Sequence, residues 1–101
     1  MSQTLVLKQR QQLTVPQILR VYGKQFKQIQ CRYSDGNIGR CAIGVIMSYF
    51  GWDGRVEFDT AYDLLVASDV LKYASIDEDL LIDMNDSGMS FDEIADYLDR
   101  T

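Results

Sequence analysis

Residues 41–47, Cys-Ala-Ile-Gly-Val-Ile-Met, are apolar on every side of a helix. A helix of that kind is stable in water only when other elements cover its whole circumference. The run is far shorter than the roughly 20 residues needed to span a bilayer. It therefore predicts a buried central helix near 38–50, with the rest of the chain packed around it. Gly39, Ala42, Gly44 and Ser48 are small, so neighbours are expected to approach closely. A chain of 101 residues suits one domain of this size. Its hydrophobic fraction of 47%, with 25% charged residues, supplies both a core and a solvated surface.

The flanking segments read as the covering helices. Thr14 and Gln17 have the spacing of a capping box, and Leu13 and Ile18 that of a hydrophobic staple. Pro16 in the first turn costs no intrahelical hydrogen bond. In a helix over 15–30, Ile18, Leu19, Tyr22, Phe26 and Ile29 share a face, with Arg20, Lys24 and Lys27 opposite. Asp59 opens a helix through Tyr62, Leu65 and Val66 to about Tyr73, with a break expected at Ser68-Asp69. Ser75 or Asp77 caps a short helix holding Leu80, Leu81 and Met84, and Gly88 suits the left-handed position after it. The last helix repeats the first one's signature: Ser90 and Glu93 form the box, Met89 and Ile94 the staple. The expected fold is mainly α, a compact bundle of about five short helices over 13–101. An N-terminal arm occupies 1–12, with a short strand or docked segment at 5–7. At most a small β element is expected near 31–34 and 55–58.

Charge and composition narrow the function. There is no histidine. That removes the commonest general base, the Ser-His-Asp and Cys-His arrangements, and most zinc and iron sites. The charge is divided along the chain. Residues 1–40 hold seven Lys and Arg against one Asp, a net +6; residues 41–101 hold three against fourteen Asp and Glu, a net −11. Three outcomes would use this division, the ends pairing within one molecule, pairing between subunits, or offering the basic end to a polyanion; the plain reading is that both ends are solvated faces, since charge runs alone specify no partner. The polyanion or partner face would be Arg20, Lys24 and Lys27. The opening residues lack the order of a signal peptide, so the cytoplasm is the expected compartment.

The acidic segment 83–93 invites two tests. Asp83, Asn85 and Ser87 stand at positions 1, 3 and 5 of an EF-hand-like loop, with Gly88 at 6. Glu93 falls at position 11 where the bidentate ligand belongs at 12, so the loop is one residue short for calcium. The simpler reading is a helix-ending turn. Gly88 to Leu98 also resembles the first helix of a helix-turn-helix unit. No recognition helix is expected after it, and the local charge has the wrong sign for phosphate. Cys41 is expected to be a small buried core residue. A Cys31–Cys41 disulfide is conceivable, but free thiols are the expectation in a reducing compartment. Asp79, Asp83 and Asp86 share a helix side away from the apolar stripe, which predicts a solvated face, not a catalytic pair.

Two motifs together resemble a known pattern. Cys41-Ala42-Ile43-Gly44-Val45-Ile46 is similar to the Cys-Ala-x-Gly-Ala-Leu signature of a small domain family of uncharacterised function. Met84-Asn85-Asp86 followed by Ser90-Phe91-Asp92-Glu93-Ile94-Ala95 is similar to that family's closing segment. The resemblance covers 31–100, about 70% of the chain. Val45 stands where alanine is usual, and Met84 where tryptophan is usual. The resemblance implies an order of elements and marks Cys41, Ala42, Gly44, Asn85 and Asp86. It implies no activity and transfers no catalytic or ligand residue.

The functional expectation is a non-enzymatic helical module acting through protein contacts or as a homo-oligomer, without a cofactor. The alternatives are a nucleic-acid accessory protein using Arg20, Lys24 and Lys27, and a divalent-metal binder at Asp83, Asn85, Ser87 and Glu93.

Overall fold

A computed structural model describes residues 13–55 and 61–100. The expected arm at 1–12, the extended pieces at 5–7 and 56–58, and the Asp59 cap lie outside the described residues. Five α-helices are present among those described: α1 Val15–Val21, α2 Ala42–Tyr49, α3 Ala61–Tyr73, α4 Glu78–Asp86 and α5 Phe91–Arg100. A parallel pair of two-residue strands, β1 Lys27–Gln28 and β2 Gly39–Arg40, completes the mainly-α fold. No helix among the described residues is long and apolar enough to cross a membrane.

The central helix is α2, and all eight of its residues are buried. Helices α1, α3 and α4 pack on it, and α5 runs along α1 and meets α4. Ile18 and Leu19 from α1, Ile43 and Ile46 from α2, Leu71 from α3, Leu81 from α4 and Ile94 from α5 are each fully buried. Each such side chain contributes about 1.5–3 kcal/mol through removal from water. Gly44 is the point of closest approach, and its neighbour is a loop, not a helix. A Cβ there would collide with the Tyr33 carbonyl oxygen.

The local capping signals hold. The Thr14 amide donates to Gln17 Oε1 at 2.8 Å, and the Gln17 amide to Thr14 Oγ1 at 3.4 Å. The Ser90 amide donates to Glu93 Oε1 at 2.9 Å, and the Glu93 amide to Ser90 Oγ at 3.1 Å. Leu13 and Met89 lie against the core as staples require. Asp77, not Ser75, caps α4, accepting from the Asp79 amide at 2.9 Å. Gly88 takes φ 101° after α4.

Three boundaries depart from the sequence reading. The helix expected over 15–30 ends at Val21, tightens to a 3₁₀ turn at Tyr22–Gln25 and becomes β1. Tertiary contacts explain the stop: the Tyr22 ring packs edge-on against Tyr49 at 5.4 Å, and Gly23 sits against the Phe91 ring. The second helix begins at Ala42, not near 38, because Gly39 and Arg40 are used in β2. The small β element therefore lies at 27–28 and 39–40; of the segment 31–34, Ser34 alone bridges, to Arg40. Helix α3 runs unbroken through Ser68-Asp69. Ser68 turns its hydroxyl outward to Glu78 Oε1 at 2.6 Å, so it does not compete with the helix backbone.

Candidate functional site

Asn85 is the junction of the molecule. It is 1% exposed although it is fully polar. Its Oδ1 accepts from the Ala42 amide at 3.0 Å, satisfying a first-turn N–H of α2, and from Gln28 Nε2 at 2.9 Å. Its Nδ2 donates to the Ile29 carbonyl at 2.8 Å. Gln28 extends the junction: its Nε2 also donates to the Met89 carbonyl, and its Oε1 accepts from the Phe91 amide at the start of α5. One side chain at the end of α4 thus ties the start of α2 and the strand region, and through Gln28 reaches α5. Cys41 caps α2 from the other side, its Sγ accepting from the Gly44 amide at 3.4 Å.

Arg40 is the second buried polar centre, 5% exposed. Its Nε donates to Ser48 Oγ at 2.9 Å; its terminal nitrogens donate to Ser34 Oγ and to the carbonyls of Asn37, Gly39 and Asp53. Its guanidinium stacks 4.6 Å from the Phe26 ring centroid and 5.5 Å from that of Trp52. Burial pulls its pKa down, and the Asp35 and Asp53 charges push it back up; arginine nevertheless stays protonated. Gly54, at φ 87°, lies against the guanidinium, where any side chain would collide. Among the described residues no buried side-chain nitrogen or oxygen lacks a partner. From the sequence Arg40 reads as one of the basic residues and as a cation beside Cys41, not as a buried centre. Its one visible signal was a charge set directly before an all-apolar run.

Asp35 holds the turn between the strands. Its Oδ1 accepts from the amides of Asn37 at 2.8 Å and Gly39 at 2.9 Å. These bonds hold its carboxyl below the usual carboxylate range. A carboxyl whose folded pKa lies below its unfolded value of about 4 stabilises the fold above that pH. The contribution is lost as pH falls through the folded value. Wild-type protein is therefore expected to lose more stability than Asp35→Asn between pH 7 and pH 3, read by urea unfolding. Equal losses would show that the turn bonds do not depend on the charge.

A cavity of about 290 Å³ opens beside the Asn85 junction, lined among others by Cys31, Arg32, Tyr33, Cys41 and Asp86. Cys31 is exposed and takes φ 68°, an uncommon backbone region for a non-glycine residue. The Asp86 carboxylate holds it there, accepting from its amide at 3.0 Å. Cys41 forms the buried wall, and burial pushes its thiol pKa up. Both cysteines are free.

The sequence candidates are distributed differently from their spacing. Of the loop candidates, Asn85 is turned inward and fully engaged, and Ser87 donates its hydroxyl to the Met84 carbonyl at 3.0 Å. The Glu93 carboxylate closes the capping box, and Asp83 remains on the solvent side of α4. The structure does not bring the four together, and among the described residues no three His, Cys, Asp or Glu side chains gather as a metal set. Arg20, Lys24 and Lys27 sit on α1, the 3₁₀ turn and β1, not on one helix face. Arg20 reaches α5, donating to Asp96 and Asp99 at 2.7 Å each. Those two hydrogen bonds raise its pKa. The basic and acidic halves thus meet within one molecule at this point. Lys24 and Lys27 are exposed.

The largest apolar residues left outside the core are concentrated on α3. Tyr73 is 95% exposed, Tyr62 73% and Leu65 59%. With Asp69 they follow at spacings of three, four and four residues, one face of a helix. Ala67 and Leu71, on the opposite face, are fully buried. At one end Tyr73 borders an apolar groove of about 550 Å³ between Pro16, Phe50, Val70 and Leu98. The chain matches no protein-family model, no curated protein and no solved structure.

Proposed function

We propose that this protein is a non-enzymatic contact module that self-associates through the exposed face of α3. The observation that carries this reading is the row Tyr62, Leu65 and Tyr73 on a helix whose other face is already in the core. Clustered apolar exposure of this kind marks interaction surfaces on small proteins. A second copy is favoured as partner by the charges on the row. Asp69 and the flanking Lys72 give the face both signs, and a two-fold interface must be complementary to itself.

This differs from a dimer formed by joining basic and acidic ends. Arg20 is already paired with Asp96 and Asp99 in its own chain, which supports the apolar version. The same pairing removes one of three cations from the nucleic-acid reading, and Asp92 lies in the groove that Arg20 and Lys24 line. The family resemblance, itself a proposal, adds no activity. It does have a physical counterpart, since Asn85 of the second motif caps Ala42 of the first.

Light scattering across concentration and salt tests the reading. A dimer forming at tens of micromolar and strengthening with salt is expected, because each copy carries −5 and salt screens their repulsion. A monomer at every concentration and salt would overturn it. A dimer that dissociates with salt would instead support pairing of opposite charges.

A further inference from the structure

We propose that Cys31 and Cys41 form a reactive pair that takes oxidising equivalents from a low-molecular-weight disulfide and closes to an intramolecular disulfide. Both thiols are free and line the same cavity of about 290 Å³. The backbone tethers them from both sides. The Ile29 amide donates to the Arg40 carbonyl at 3.0 Å, and the Cys41 amide to the Tyr33 carbonyl at 3.3 Å. Cys31 thus lies two residues from each of two tethers to Cys41 or its neighbour, which keep both cysteines at one corner of the fold. Closing the disulfide brings their Cα atoms to about 4.4–6.8 Å.

The two thiols differ in access, which divides their roles. Cys31 is exposed and meets the reagent first; Cys41 is buried in the cavity wall and answers from inside. Cys31 gives up its proton to solvent, and its thiolate attacks one sulfur of the disulfide RSSR. The S–S bond breaks, one RS⁻ leaves and takes up a proton, and Cys31–S–S–R remains. Cys41 then loses its proton and attacks Cys31 Sγ, displacing the second RS⁻, which is protonated in turn. Two protein thiols are oxidised and one RSSR is reduced to two RSH. Arg32 and Asp86 also line the cavity, and the Asp86 charge opposes a thiolate on Cys41. Burial holds Cys41 as a thiol, so the second step is the slower one and the mixed disulfide builds up before the internal disulfide replaces it. Closure draws Cys41 Sγ from the Gly44 amide and ties the 31–33 turn to the start of α2.

The test is incubation of the folded chain with glutathione disulfide, acid quenching, and tryptic mapping without reduction. Trypsin cuts after Lys27, Arg32, Arg40 and Arg55, separating the two cysteines. The expected product is a linked pair of peptides 28–32 and 41–55. Cys41→Ser, which keeps a capping oxygen, is expected to accumulate the glutathione adduct on Cys31. Cys31→Ser is expected to leave Cys41 unmodified over the same period. A glutathione adduct on Cys31 that persists in the wild type without linked peptides would overturn the proposal, as would equally fast modification of Cys41 in Cys31→Ser.

Discussion

Replacing Asn85 by alanine is expected to cost about 3–5 kcal/mol of folding stability, from the loss of a partner at one buried and two half-buried polar groups. The Ala42 amide and the Ile29 carbonyl each lose their Asn85 partner, and the Gln28 amide keeps only the Met89 carbonyl. Each buried group left unsatisfied costs about 1–3 kcal/mol. Domains of this size have a total stability of about 5–15 kcal/mol, so the variant stands near the edge of unfolding. Asp83→Ala, two residues away on the solvent side of α4, is expected to change stability by less than about 0.5 kcal/mol. Paired urea titrations check both. Equal effects at the two positions would mean that Asn85 is not the junction described.

Arg40→Ala is expected to cost about 2–4 kcal/mol, the net of two opposing terms. Truncation empties the space between Phe26 and Trp52 and removes the donor to Ser48 and to the Asn37 and Gly39 carbonyls. Against this, a desolvated charge without a directly bonded carboxylate is itself costly, and its removal returns part of the loss. Arg40→Met is therefore expected to lose less than Arg40→Ala, because it fills the aromatic slot without carrying the charge inside. Arg40→Lys is not conservative here, since an ammonium cannot reproduce the planar fork between these acceptors. Thermal unfolding of the three variants gives the order. Methionine as damaging as alanine would show that filling the slot between Phe26 and Trp52 does not hold this corner.

What was legible in the sequence was local or compositional. The two capping boxes need only residues three apart, and both form. The burial of α2 follows from its lack of any polar side. Hidden features depended on distance along the chain. Asn85 and Ala42 are 43 positions apart, and Asn85 has the same chemistry whether it ends a helix, binds a metal or turns into the core. Arg40 looks like any of the seven basic residues in its half, because its partners Phe26, Ser48 and Trp52 come from separate segments. The period of α3 shows which residues share a face, but not which face turns inward, since both carry apolar side chains. The early end of α1 at Val21 reflects contacts of Tyr22 and Gly23 with distant rings, which overrode an otherwise helical pattern.

The two polar centres brace the fold, and the exposed α3 row is the surface proposed for self-association. Sedimentation equilibrium of the wild type beside a Leu65→Glu/Tyr73→Ser double variant tests this most directly. Both positions are exposed, so the variant is expected to keep the wild-type unfolding midpoint within a few degrees. The predicted result is a reversible dimer for the wild type and a monomer for the variant. The same association constant for both chains would contradict it.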